Sequence, residues 1–154
     1  MSRCKGFTLI EVMIVTAIMA IMATFAVPAY REFQAHSRLK GAARQMHADL
    51  AAIRMQAAGE NRWIALNVDG GHSYTIFRDN AKSGLKSASG NEILVVKDLH
   101  PTYYDVTITT AAGTVVIFKP NGTIHHSVEM TLSFSAPVGT KEIKVSVIGR
   151  AKII

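Results

Sequence analysis

Residues 7–29 read FTLIEVMIVTAIMAIMATFAVPA, a run of 23 side chains interrupted by a single charge, Glu11. At roughly 1.5 Å per residue a helix made of this run is about 34 Å long, enough to cross a hydrocarbon core of about 30 Å. The mean hydropathy of the chain is high for a soluble domain, and the surplus is concentrated here. Six residues, MSRCKG, stand before the run, with Arg3 and Lys5 as their only charges. Cations on that side place the N-terminus in the cytoplasm and the residues beyond the run across the membrane.

A secretory signal peptide cut after Ala29 is the competing reading, since Val27-Pro28-Ala29 can pass as a small-residue cleavage site. Two features oppose it. The run exceeds the usual apolar region of about 7–15 residues, and Glu11 lies inside it. A carboxylate in lipid costs about 2.5–3.5 kcal/mol on insertion scales, an expense for which a simple signal peptide has no use.

Beyond Tyr30 the helical pattern continues. Leu39, Ala43, Met46, Leu50, Ile53 and Ala57 recur at spacings of 4, 3, 4, 3 and 4, one face of a helix. Arg38, Lys40, Arg44, Asp49, Arg54 and Gln56 fall off that seam, and Gly59 is the expected stop. Pro28 is expected to bend the helix and free a backbone carbonyl near the membrane exit.

The remainder reads as strands. Ile64, Leu66 and Val68 alternate before Asp69-Gly70-Gly71, and Ser73–Arg78 returns as a hairpin. Residues 80–90 (NAKSGLKSASG) have the composition of a mobile loop. Further strands are expected at Glu92–Lys97, Tyr104–Thr109, Thr114–Lys119, Val128–Ser135 and Glu142–Ile148, with a turn at Lys119-Pro120-Asn121-Gly122. One long helix before a series of short strands predicts an α+β fold, the helix packed on an antiparallel sheet. A length of 154 residues suits one such domain, divided as a leader (1–6), a transmembrane helix (7–29), its amphipathic continuation (30–59) and a β-rich domain (60–154).

Lys5-Gly6-Phe7-Thr8-Leu9-Ile10-Glu11, leading into an unbroken apolar stretch with Pro28 near its end, closely resembles the N-terminal signal of type IV prepilins and type II secretion pseudopilins. The resemblance implies a pilin-like fold. It also implies that a prepilin peptidase cuts between Gly6 and Phe7 and methylates the new Phe7 amine. The chain is then that enzyme's substrate and not itself an enzyme. Physical chemistry agrees on Glu11: a carboxylate and an amine stranded at an apolar helix end are each costly, and pairing between neighbouring subunits relieves both. Within the superfamily the C-terminal part resembles the GspH/FimT group on three segments. These are Leu50–Ala57 with Asn61-Arg62, the turn Phe118-Lys119-Pro120-Asn121-Gly122, and Ser146-Val147-Ile148-Gly149-Arg150 with Lys152, read as a closing strand. That group implies a minor subunit near a filament tip that helps initiate assembly of a type II secretion pseudopilus or a type IV pilus. The implied partners are prepilin peptidase, other pilins or pseudopilins and inner-membrane lipid.

No catalytic constellation emerges, and no cofactor, metal or small-molecule substrate is expected. His125 and His126 are adjacent and would point to opposite faces of a strand. His36 and His47 are about 16 Å apart along a helix. Asp69 and Asp79 lack the dense oxygen ligands that calcium needs, and Trp63 reads as packing. The lone Cys4 excludes an internal disulfide and falls in the leader. Removing the leader reduces the net charge from +6 to +4. The last fourteen residues keep Lys141, Lys144, Arg150 and Lys152 against Glu142 alone. Clustered cations attract phosphate without reading sequence. Some FimT-type minor pilins take up DNA with such a tail, so the resemblance implies DNA contact at Lys144, Arg150 and Lys152 as an alternative role.

Overall fold

The computed structural model describes residues 7–110, 114–126 and 129–154. Gly6 and the rest of the leader, and Val128, lie outside the described residues. The chain forms two compact units, one ending at Gln34 and the other spanning Ala35–Ile154.

Helix α1 covers Leu9–Glu60 and includes Pro28. In the second unit its buried side chains are Ala35, Leu39, Ala42, Ala43, Met46, Leu50, Ile53 and Ala57, the predicted stripe with two alanines added. The helix runs past Gly59. Its terminus is set by Asn61, whose φ of 52° is left-handed, with the Arg62 N–H donating to the Ala57 carbonyl at 3.1 Å. This is a Schellman-type closure in which asparagine takes the place usual for glycine.

Eight strands follow among the described residues: β1 (Ile64–Gly70), β2 (Ser73–Arg78), β3 (Glu92–Asp98), β4 (Thr107–Ile108), β5 (Val115–Phe118), β6 (Met130–Ala136), β7 (Gly139–Val145) and β8 (Ala151–Ile153). They form two four-stranded sheets, ordered β3-β2-β1-β5 and β4-β6-β7-β8, with every pairing antiparallel. One core joins both sheets to the helix. Leu66, Tyr74 and Phe118 from the first and Leu132, Phe134 and Ile143 from the second meet Met46, Leu50 and Ile53. Ala65, Phe77 and Ile117 form a smaller cluster of their own, with Trp63 packed against it.

Two expected strands differ in extent, each for a local reason. Only Thr107–Ile108 of Tyr104–Thr109 is extended, because the residues before it are drawn onto the helix. Tyr103 lies so close to Gly41 that a Cβ there would meet its ring at 2.7 Å, and Asp105 takes both Arg38 Nε (2.8 Å) and Nη2 (2.7 Å). The segment Ser146–Arg150 is a hairpin turn and not a closing strand. The Gly149 N–H donates to the Ser146 carbonyl at 2.8 Å, and β8 returns beside β7. The 80–90 segment is internally tied. The buried Asp79 carboxylate accepts the Ser83 N–H (3.1 Å) and the Gly84 N–H (2.8 Å), and Asn91 Nδ2 donates to it (3.1 Å).

Polar side chains flanking the stripe fasten the helix to the sheets. Besides Arg38–Asp105, Lys97 donates to both oxygens of Asp49 (2.7 and 2.8 Å), and the Tyr74 hydroxyl donates to the same carboxylate. Burial, then Asp49, raises the Tyr74 pKa above its ordinary value. Glu60 receives Arg78 Nε at 2.7 Å and Nη2 at 3.0 Å. The Arg78 hydrogen bonds, helped by Gln56, lower the Glu60 pKa to about 2.

These contacts can be probed by substitution. A Cβ on Gly149 would stand 2.1 Å from the Gly122 carbonyl oxygen, at a φ of +76°. Gly149→Ala is therefore expected to destabilise the domain by about 2 kcal/mol or more in denaturant melts. Gly59→Ala, within the helix and with open space around it, should stabilise by about 0.5–1 kcal/mol. The folded Glu60 pKa lies below the ordinary 4.5, so its contribution is complete above pH 4.5 and is lost as pH falls toward 2. Glu60→Gln should lower stability at neutral pH and flatten the acid limb of a stability–pH curve across that window.

Candidate functional site

Every described residue from Phe7 to Gln34 is exposed. Phe7 is 82% exposed and Phe25 75%, and the apolar side chains between them cover the whole circumference of the helix. A helix that is apolar all round requires lipid or other apolar helices about it. It is long and apolar enough to cross a membrane.

Within residues 7–29 the single acid, Glu11, has a local partner that hydropathy alone does not reveal. The Thr8 hydroxyl accepts the Glu11 N–H at 3.3 Å, and the Glu11 carboxylate accepts the Thr8 N–H at 3.5 Å. This is a capping box, and its signature, Thr-x-x-Glu ahead of an apolar run, is legible in the sequence. Glu11 thus closes the first turn of its own helix, and its side chain stands beside Phe7, with Val12, Val15 and Thr16, around a shallow apolar recess of about 230 Å³. Pro28 lies within the same exposed helix.

In the second unit the three segments that suggested the GspH/FimT group converge on one junction. Arg54, on the helix, donates from Nε to the Gly122 carbonyl at 2.9 Å. Gly122 ends the 119–122 turn, where its N–H donates to the Lys119 carbonyl at 2.9 Å. Gly149 packs on the same Gly122 carbonyl. About two helical turns before Arg54, His47 places Nε2 3.1 Å from the Ala151 carbonyl oxygen. Helix, turn and final hairpin are therefore joined at backbone carbonyls, which requires a long donor at Arg54 and no side chain at Gly149.

The C-terminal cations divide. Lys144 and Lys152 are directly opposed across β7 and β8, so both heads project from one face. Arg150 is exposed in the turn before β8. None of the three takes part in an ion pair among the described residues. Trp63 packs at the rim of the first sheet with the His125 ring 4.9 Å away, and Lys82 and Lys119 lie 5.7 and 6.0 Å from its ring centre. Asp69 accepts Asn67 at 2.8 Å together with Thr75 and Lys86. Both turn acids, Asp69 and Asp79, are thus engaged within the fold.

A long helix with a buried stripe in its second half, packed on antiparallel sheets, defines the pilin-like fold. Two crystal structures of the Pseudomonas aeruginosa type IV minor pilin FimU share it. They are 22% identical, with TM-scores of 0.58 and 0.60, and cover 75% and 79% of this chain and 92% of each of theirs. Residues 1–27 match the prokaryotic N-terminal methylation motif, and residues 42–149 match the type II transport protein GspH. The chain belongs to the GspH family. The fimbrial protein EcpC of Eikenella corrodens is 33% identical over 98 residues, covering 64% of this chain and 64% of that protein. The type IV major fimbrial protein FimA of Dichelobacter nodosus is 62% identical over 34 residues, 22% of this chain and 21% of that one. The chain thus spans under two-thirds of the length of these relatives.

Proposed function

We propose that this chain is a minor pilin or pseudopilin, a structural subunit of a type IV pilus or type II secretion pseudopilus, and not an enzyme. The observation that carries this reading is the fully exposed apolar helix of residues 7–29, bearing one carboxylate, on a chain whose second unit has a core of its own. The matched methylation motif and the GspH family support it. In this reading prepilin peptidase cuts between Gly6 and Phe7 and methylates Phe7. Residues 7–29 cross the inner membrane with the N-terminus cytoplasmic, Pro28 bends the helix at the exit, and residues 60–154 form the periplasmic domain. During assembly Glu11 leaves its own Thr8 and faces the Phe7 amine of a neighbour, where two otherwise unpaired charges neutralise each other. A position near the filament tip, helping to initiate assembly, is the role the family suggests.

Intact mass spectrometry of the mature protein tests the processing: a methylated Phe7 start is expected, and an N-terminus at Tyr30 would sink the reading. Glu11→Val should be cleaved normally yet be absent from purified filaments.

A second reading has one specific observation in its favour, the side-by-side placement of Lys144 and Lys152 next to exposed Arg150. As a phosphate-contacting patch these residues would bind DNA without sequence preference, more weakly as salt rises. Arg150→Ala/Lys152→Ala should then lower DNA affinity at low salt several-fold in a mobility-shift titration; an unchanged affinity removes this role.

A further inference from the structure

Among the described residues, the residues other than glycine with a left-handed backbone are Asn61 (φ 52°) and Lys82 (φ 54°). Both line one recess of about 330 Å³, between residues 61–63 and 79–82. The conformation is common for asparagine and uncommon for lysine. Lys82 adopts it because the chain winds around Asp79. The Lys82 N–H donates to the Asp79 carbonyl at 3.1 Å, and the next two N–H groups go to the Asp79 carboxylate. Glycine is the default residue at such a position; lysine adds an ammonium to the wall of the recess.

Three kinds of group meet there. Arg62 and Lys82 are exposed cations that make no ion pair among the described residues. The acid of the wall, Asp79, is buried, and its carboxylate already takes the Ser83, Gly84 and Asn91 donors. A ligand therefore meets an excess of positive charge. Asn61 has a free side-chain amide among the described residues, offering a donor and an acceptor. Asn80 donates from Nδ2 to the Gly90 carbonyl at 2.8 Å and keeps its Oδ1 as an acceptor. The partly buried Trp63 contributes a flat ring, with Lys82 Nζ near its centre.

We propose that this recess binds an acidic saccharide, a sugar ring that carries hydroxyl groups and a carboxylate. A bare anion such as phosphate needs donors alone and would leave the amide acceptors facing negative charge. A neutral sugar has no use for two unpaired cations. A sugar acid uses every group: its carboxylate takes Arg62 and Lys82 as charge-assisted partners. Its hydroxyls, each both donor and acceptor, suit Asn61 and Asn80. Its C–H face lies on the electron-rich face of the indole. The volume stands at the low end of the range of about 300–1,000 Å³ for small-molecule sites, which suits one sugar unit. The site shares no residue with the assembly contact at Glu11 or with the cations at Lys144, Arg150 and Lys152.

The test uses the full-length chain in detergent. Trp63 is the only tryptophan, so its fluorescence reports on the recess directly. Glucuronic acid is expected to give a saturable change, with half-saturation about tenfold below that for glucose or acetate. Glycine at either left-handed position keeps the backbone, so Asn61→Gly and Lys82→Gly should not lower the melting temperature. Lys82→Gly and Arg62→Gln should each weaken glucuronic acid about fivefold while leaving glucose unchanged. Asn61→Gly should weaken both sugars about threefold. A response to acetate or inorganic phosphate as strong as that to glucuronic acid would overturn the proposal, as would no saturable response. Folded Lys82→Gly and Asn61→Gly proteins that bind glucuronic acid as tightly as the parent would do the same.

Discussion

The stripe from Leu39 to Ala57 is the apolar surface that both sheets share. Tyr74 and Phe118 from one sheet and Phe134 and Ile143 from the other enter a single cluster with Met46, Leu50 and Ile53. Burying side chains of this size stabilises by about 1.5–3 kcal/mol each. The polar contacts on the flanks of the stripe add direction to that adhesion. Arg38 reaches Asp105, Asp49 reaches Lys97 and Tyr74, Arg54 reaches Gly122, and Glu60 reaches Arg78. Spread along the helix at different heights, they fix both its rotation and its axial position, which an apolar seam alone would leave free to slide.

The same helix serves two solvents. Through residue 29 it offers apolar side chains on every face; beyond residue 35 one face is buried and the others carry charge. The first pattern is suited to lipid or to packed neighbouring helices, the second to a water-soluble domain. Glu11 is the exception in the first pattern, and its capping bonds to Thr8 show how the isolated chain satisfies it. In the proposed assembly, pairing with a neighbour's amine has to exceed what those two long, exposed hydrogen bonds supply, a modest requirement at about 0.5–1.5 kcal/mol each.

Local sequence carried the helix, its buried face and the β1–β2 hairpin, because each depends on periodicity or turn chemistry within a few residues. It did not carry the fastenings. Arg38 and Asp105 lie 67 positions apart, and nothing near Arg38 distinguishes it from the solvated Lys40. The final hairpin was hidden for a related reason: Val145 to Ile148 keeps a strand-like composition, and only the approach of Gly122 to Gly149 requires a turn there. Composition does not show how residues 80–90 are held, since Ser, Gly and Lys are common to loose loops and to loops tied by one buried acid. Glu11 is evident as the lone charge of residues 7–29, while its capping partner is found only from the Thr-x-x-Glu spacing.

The junction of Arg54, Gly122 and Gly149 also bears on the order in which the domain can close. Its three parts come from the helix, the middle and the far end of the chain, so the contact that seats the last hairpin forms only after nearly all residues are available. Until then β7 has no β8 beside it, and the cationic flank of the helix at Lys40 and Arg44 faces no strand. A chain made from its amino end therefore passes through a stage with one sheet unfinished and its edge bare, the stage at which strand exchange between copies is easiest.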